Sequence, residues 1–124
     1  MPKARGGIRW LPKPEEHDYA AARSYLGLLF EDATSARYAR QLARARPAAF
    51  KAKDIFRASG LSLLGISNAH VERDRRKIAQ GRELSPLLLV RDGARGRVII
   101  ADGYHRLCAV YGYDEDAVIP CRIV

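Results

Sequence analysis

The chain is poor in cysteine. Its 124 residues hold two, Cys108 and Cys121. Two thiols cannot build the disulfide framework of a small secreted domain. No Cys-x-x-Cys or His-x-x-x-His spacing accompanies them or His17, so no zinc pattern is present. A run of eighteen apolar residues is also missing, which excludes a membrane-spanning helix. Residues 1–14 are basic but lack the apolar stretch of a secretion signal. Together these absences lead to the expectation of a cytoplasmic protein with no membrane partner. There is no internal repeat and no low-complexity tract.

What is present suits one packed domain. Apolar residues make up 48% and charged residues 29% of the chain, both near globular averages. A chain of this length buries enough surface to need no staple. The net charge is +8 and is unevenly placed. From residue 86 onward, five arginines meet five acids and cancel. The whole excess lies in residues 1–85, where 17 Lys and Arg face 9 Asp and Glu. A basic half is either a surface for a polyanion or a solvated set of arginine-rich helices, since arginine is also a good helix former.

The pattern along the chain predicts an α+β fold: N-terminal helices followed by a small sheet with a helix after a turn. Residues 1–13 read as a poorly ordered basic arm, with Trp10 pinning its end. A first helix is expected from Pro14, with Tyr19, Ala22, Leu26 and Leu29 at helical spacing. A second runs from about Asp32 to Pro47 and places Arg37, Arg40 and Arg44 on one face. A third spans about Phe50 to Ser59 and stops at Gly60. Residues 14–60 thus form a helical extension, and 61–124 the core of the same domain. Asn68 can cap a polar helix over 70–80, with Val71, Asp74 and Ile78 inward. Pro86–Arg91 and Arg97–Ala101 are short apolar runs joined by a Gly-containing turn, the mark of a hairpin of buried strands. A helix over 104–113 and a strand over 117–124 complete the chain. Pro120 places that strand at an edge or on a bulge.

The stretch Asp102-Gly103-Tyr104-His105-Arg106 carries the chemistry. It stands where a strand gives way to a helix. The first N–H groups of a helix lack internal partners and carry partial positive charge. Glycine at that junction lets a ligand approach the backbone, and a phosphate there meets several donors at once. Arg106 offers a planar charged fork, and His105 can donate a hydrogen bond or accept a proton. Two cations in a first turn oppose the helix dipole, which an anion between them would relieve. A purely local reading also fits: Asp102 caps the helix, Gly103 serves a tight turn, and Arg106 pairs with Asp102 or Glu115. Asp102 is the candidate to hold Mg²⁺ beside a phosphate. Asp114-Glu115-Asp116 reads as a solvated turn, and the two cysteines as small buried residues.

Gly103-Tyr-His-Arg106, its following helix and Val118-Ile-Pro-Cys-Arg-Ile-Val124 resemble the ParB/sulfiredoxin superfamily over about residues 68–124. Sulfiredoxins carry Gly-Cys-His-Arg at this junction, ParB N-terminal domains Gly-Glu-Arg-Arg, and related free-serine kinases Asp-Gly-His-His-Arg. The resemblance implies a nucleotide-phosphate site for ATP or CTP, with or without Mg²⁺. Gly103, Tyr104, His105 and Arg106 would form it, joined by His70, Arg73 and Lys77 from the preceding helix. Asp102 and His105 are the candidates for any catalysis, such as nucleotide hydrolysis or phosphotransfer. Tyr104 stands in place of the reactive cysteine, so reduction of sulfinic acid is not expected. Two other functions stay open: a nucleic-acid-binding accessory protein or nuclease, contacting DNA or RNA through Arg37, Arg40 and Arg44, and a non-catalytic regulatory module.

Overall fold

The computed structural model describes residues 7–124. Among them are five helices and a four-stranded mixed sheet in an α+β arrangement. In chain order these are α1 (Glu16–Leu26), α2 (Asp32–Arg44), β1 (Ala48–Lys51), α3 (Ala52–Ser59) and α4 (Ala69–Ala79). Then come β2 (Leu87–Asp92), β3 (Arg97–Asp102), α5 (Tyr104–Tyr113) and β4 (Val118–Ile123). The strand order is β1-β4-β2-β3. β2 pairs antiparallel with β3 and parallel with β4, and β1 pairs antiparallel with β4.

Alternation along β2 explains why its sequence is apolar throughout. Leu87 and Leu89 face one core, with Ile100, Ile119 and Cys121, against α3, α4 and α5. Leu88 and Val90 face another, with Ile99 and Ala101, against Ala22 and Leu26 of α1 and Leu42 of α2. A strand covered on both faces has no solvent side to mark with polar residues. Asn68 caps α4 as its position suggests, its side-chain oxygen accepting from the N–H groups of His70 at 3.0 Å and Val71 at 3.2 Å. Cys108 and Cys121 are buried and free, and burial raises both thiols, Cys121 to about 11.

Five sequence expectations need correction. α1 starts at Glu16 and ends at Leu26, so Leu29 falls outside it and is exposed. α2 stops at Arg44, and Ala45 is already extended, one residue ahead of Arg46, where Pro47 disfavours helix. Phe50 and Lys51, expected to open the third helix, belong instead to a strand, β1, and α3 starts at Ala52. Ala48 and Ala49 fall in neither expected helix; the strand is short and mostly exposed, so it shows no alternation to read. β4 lies inside the sheet, although it contains Pro120. Pairing with β2 begins one residue later, at Cys121, so the missing N–H costs no bond on that side. Finally, the arm is tied down from Ile8. Trp10 packs on the core, and the backbones of Arg9, Leu11 and Leu84 exchange hydrogen bonds of 2.8–2.9 Å. The arm's first six residues lie outside the described ones.

Candidate functional site

The end of β3, the start of α5, the start of α1 and one face of α4 meet around a cavity of about 280 Å³. Asp102, Gly103, Tyr104, His105 and Arg106 all line it. Gly103 makes the junction possible. Its φ is +106°, and a Cβ there would stand 2.8 Å from both Arg106 Nη2 and Leu87 Cγ. Gly103, not Asp102, is the N-cap residue of α5, and no side chain caps the helix. The carboxylate of Asp102 is turned instead to Arg106.

Arg106 is held between two acids. Its Nη2 donates to Asp102 at 2.8 Å, and its Nη1 lies 3.9 Å from Asp18. A long contact of 3.5 Å reaches the Pro86 carbonyl, while the buried Nε finds no acceptor among the described residues. Asp18 itself is buried, at 3% exposure. It accepts from the Glu15 backbone N–H at 2.9 Å and from the Ser85 hydroxyl, and His17 Nε2 lies 3.4 Å away. A buried carboxylate needs such partners, because desolvation disfavours its charge. Burial raises the Asp102 carboxyl above its usual range. Arg106 works against that rise, and the neighbouring Asp18 adds to it.

The other wall is basic. Arg73 and Lys77 line the same cavity from α4, beside Asp74 and Glu83. His70 does not line it, but its ring packs on His105 with centroids 4.8 Å apart, and its Nδ1 is 3.3 Å from Arg73 Nη2. His105 is pushed below its ordinary value, first by burial and then by His70 and Arg73, against an opposing pull from Asp74. It is therefore neutral at pH 7 and able to accept a proton. The Tyr104 hydroxyl donates to the Ser62 carbonyl, which ties the 61–67 loop to the motif. The hydroxyl is also raised by burial and by Cys108, and has no nucleophilic character at neutral pH.

Of the residues named from the sequence, the motif, Arg73 and Lys77 line this cavity and His70 does not; Glu15, Ser85 and His17, set aside for lack of a zinc spacing, line it too, and Asp18 lies beside them. One signal for Asp18 was available. It stands four residues before Ala22 and eight before Leu26, on the stripe that α1 buries. Glu15, His17 and Asp18 place one ligand atom each within 4.8 Å of the others, so oxygen and nitrogen donors for a cation gather at α1 beside Asp102. Arg37, Arg40 and Arg44 do not join the cavity and lie exposed on α2. Asp114-Glu115-Asp116 is a local turn. Lys53 pairs with Asp116 at 2.7 Å, and the Asp114 side chain accepts from the Asp116 N–H at 3.1 Å. No family model matches the chain, and no curated protein or solved structure matches it either.

Proposed function

We propose that the cavity binds the phosphates of a nucleotide, ATP or CTP, together with Mg²⁺, in the manner of a ParB/sulfiredoxin-like domain. One observation carries this reading. The uncapped first turn of α5 and the cations Arg73 and Lys77 line one cavity, so backbone donors and positive side chains converge on the same space. Phosphate binding at a helix start uses this combination. The cavity's acids fit the metal. Glu15 and Asp102 line the cavity, with Asp18 grouped beside Glu15 and His17, and these carboxylates are hard oxygen donors of the type Mg²⁺ prefers; bound metal would neutralise phosphate charge that the acids otherwise repel. Phosphoryl transfer or hydrolysis asks mainly for positioning and charge neutralisation, with neutral His105 or Asp102 accepting a proton.

Arg106 is a poor residue with which to test this, because its removal strands the buried Asp18 and the half-buried Asp102. Arg73→Ala and Lys77→Ala are better, since both side chains reach the cavity from the helix surface. Titration calorimetry with ATP, CTP and GTP, with and without Mg²⁺, should show saturable binding. Each variant should weaken it by about tenfold or more, the equivalent of one charged hydrogen bond of roughly 1.5–3 kcal/mol. Unchanged affinity in both variants, or no binding of any Mg-nucleotide to the native protein, would overturn the reading.

A further inference from the structure

A second charged feature lies away from this cavity. From Ala33 to Lys53 the chain holds six cations, Arg37, Arg40, Arg44, Arg46, Lys51 and Lys53, and no acid. Arg37, Arg40 and Arg44 fall within one stripe of α2, opposite its buried residues Ser35 and Leu42. All three are exposed, and none forms a side-chain hydrogen bond or ion pair among the described residues. Six other arginines, Arg23, Arg57, Arg76, Arg95, Arg97 and Arg106, each have a carboxylate partner. Arg37 lies over the Tyr38 ring, 5.4 Å from its centroid, a contact that positions the guanidinium and leaves its N–H groups free.

The sheet adds an independent observation. Arg122 is 8% exposed and has no hydrogen bond or ion pair among the described residues. It pairs in register with Leu88, on the sheet face that α1 and α2 cover. Among the described residues, Arg106 Nε is the one buried side-chain nitrogen without a partner, so the Arg122 guanidinium reaches water and adds its charge beside α2.

We infer that the exposed face of α2 binds the phosphate backbone of a nucleic-acid duplex, without reading sequence. Seven residues of helix span about 10 Å, so the three guanidinia form a short row that meets successive phosphates along a strand. A lipid surface fits less well. A membrane-surface helix needs a free apolar face, and α2 has spent its own on the sheet through Leu42. Single strands also fit less well, because Tyr38 is packed on Phe30 at 5.3 Å and offers no stacking platform.

The test is fluorescence anisotropy with a mixed-sequence 20-base-pair DNA duplex, from 50 to 200 mM salt. Native protein should bind at 50 mM and lose affinity with a log–log slope of about −2.7, which corresponds to three phosphate contacts. Arg37→Gln/Arg40→Gln/Arg44→Gln should reduce binding at 50 mM by at least tenfold and flatten the slope. Its circular dichroism should not change, since glutamine is nearly as good a helix former. Should the triple variant misfold, the single Arg40→Glu should still weaken binding severalfold. Lys77→Ala should leave duplex binding intact, which separates this surface from the nucleotide cavity. Equal binding by the arginine variants, no binding at 50 mM, or tighter binding to phosphatidylserine vesicles or polyglutamate than to the duplex would overturn the inference.

Discussion

Two sets of arginines in this protein have opposite surroundings. Arg106 sits between Asp102 and Asp18, with a side chain 17% exposed. Arg37, Arg40 and Arg44 stand exposed on α2 with no carboxylate in ion-pair contact among the described residues. Each set adds to the same formal charge, yet only the second is free to attract a partner. In the first set, charge organises the protein. The guanidinium joins the start of α1 to the end of β3 and sets the wall of the cavity. Net charge alone therefore says little about binding until each cation's internal partners are known.

Breaking the enclosed arginine should have the largest effect. Arg106→Ala leaves Asp18 buried without its strongest counter-charge and should cost about 3–5 kcal/mol in denaturant unfolding. Arg40→Ala should stay within about 0.5 kcal/mol. Comparable costs for the two would show that the surroundings of Arg106 do not matter as argued. Gly103→Ala comes next. A methyl there meets Leu87 and Arg106 at a φ that L residues avoid, and should cost about 2–4 kcal/mol by adding backbone strain to overpacking. The same change at Gly60, also at positive φ but with nothing within 4 Å, should cost only about 1 kcal/mol.

The smallest effect concerns proton balance at His105. The fold holds the neutral form, so its pKa lies below that of the unfolded chain. Unfolded protein then binds the proton more readily, and this residue's contribution to stability is lost as pH falls through about 6.5. Mg-nucleotide should reverse the sign by placing negative charge beside the ring. NMR titration of the His105 ring should show its pKa rising when nucleotide is added, with binding tighter at pH 6 than at pH 8. An unmoved His105 with saturating nucleotide would place the phosphates elsewhere.

Much of the architecture was legible in the chain. Asn68 before a polar helix, the apolar runs on both sides of Asp92-Gly93, and the Asp102-Gly103 junction each announce local structure through nearby residues. The elements misread were those whose state depends on distant contacts. β1 has four residues and little pattern, and it is a strand because β4 offers it a ladder. Pro120 suggested an edge, but the point at which β2 stops pairing decides what proline costs.

The candidate site divides in the same way. Gly103, His105 and Arg106 are adjacent in sequence, and a helix start with its glycine is a local event, so they could be named from the chain alone. The spacing of Arg37, Arg40 and Arg44 along one helix face was equally local. Tertiary structure decided which charges are satisfied. Asp18 is 67 residues from Ser85 and 88 from Arg106, and they meet only because α1 docks across the end of β3. Sequence spacing reports neighbours on one element. Burial and ion pairing are set by which elements share a core, and that follows from packing the whole chain at once.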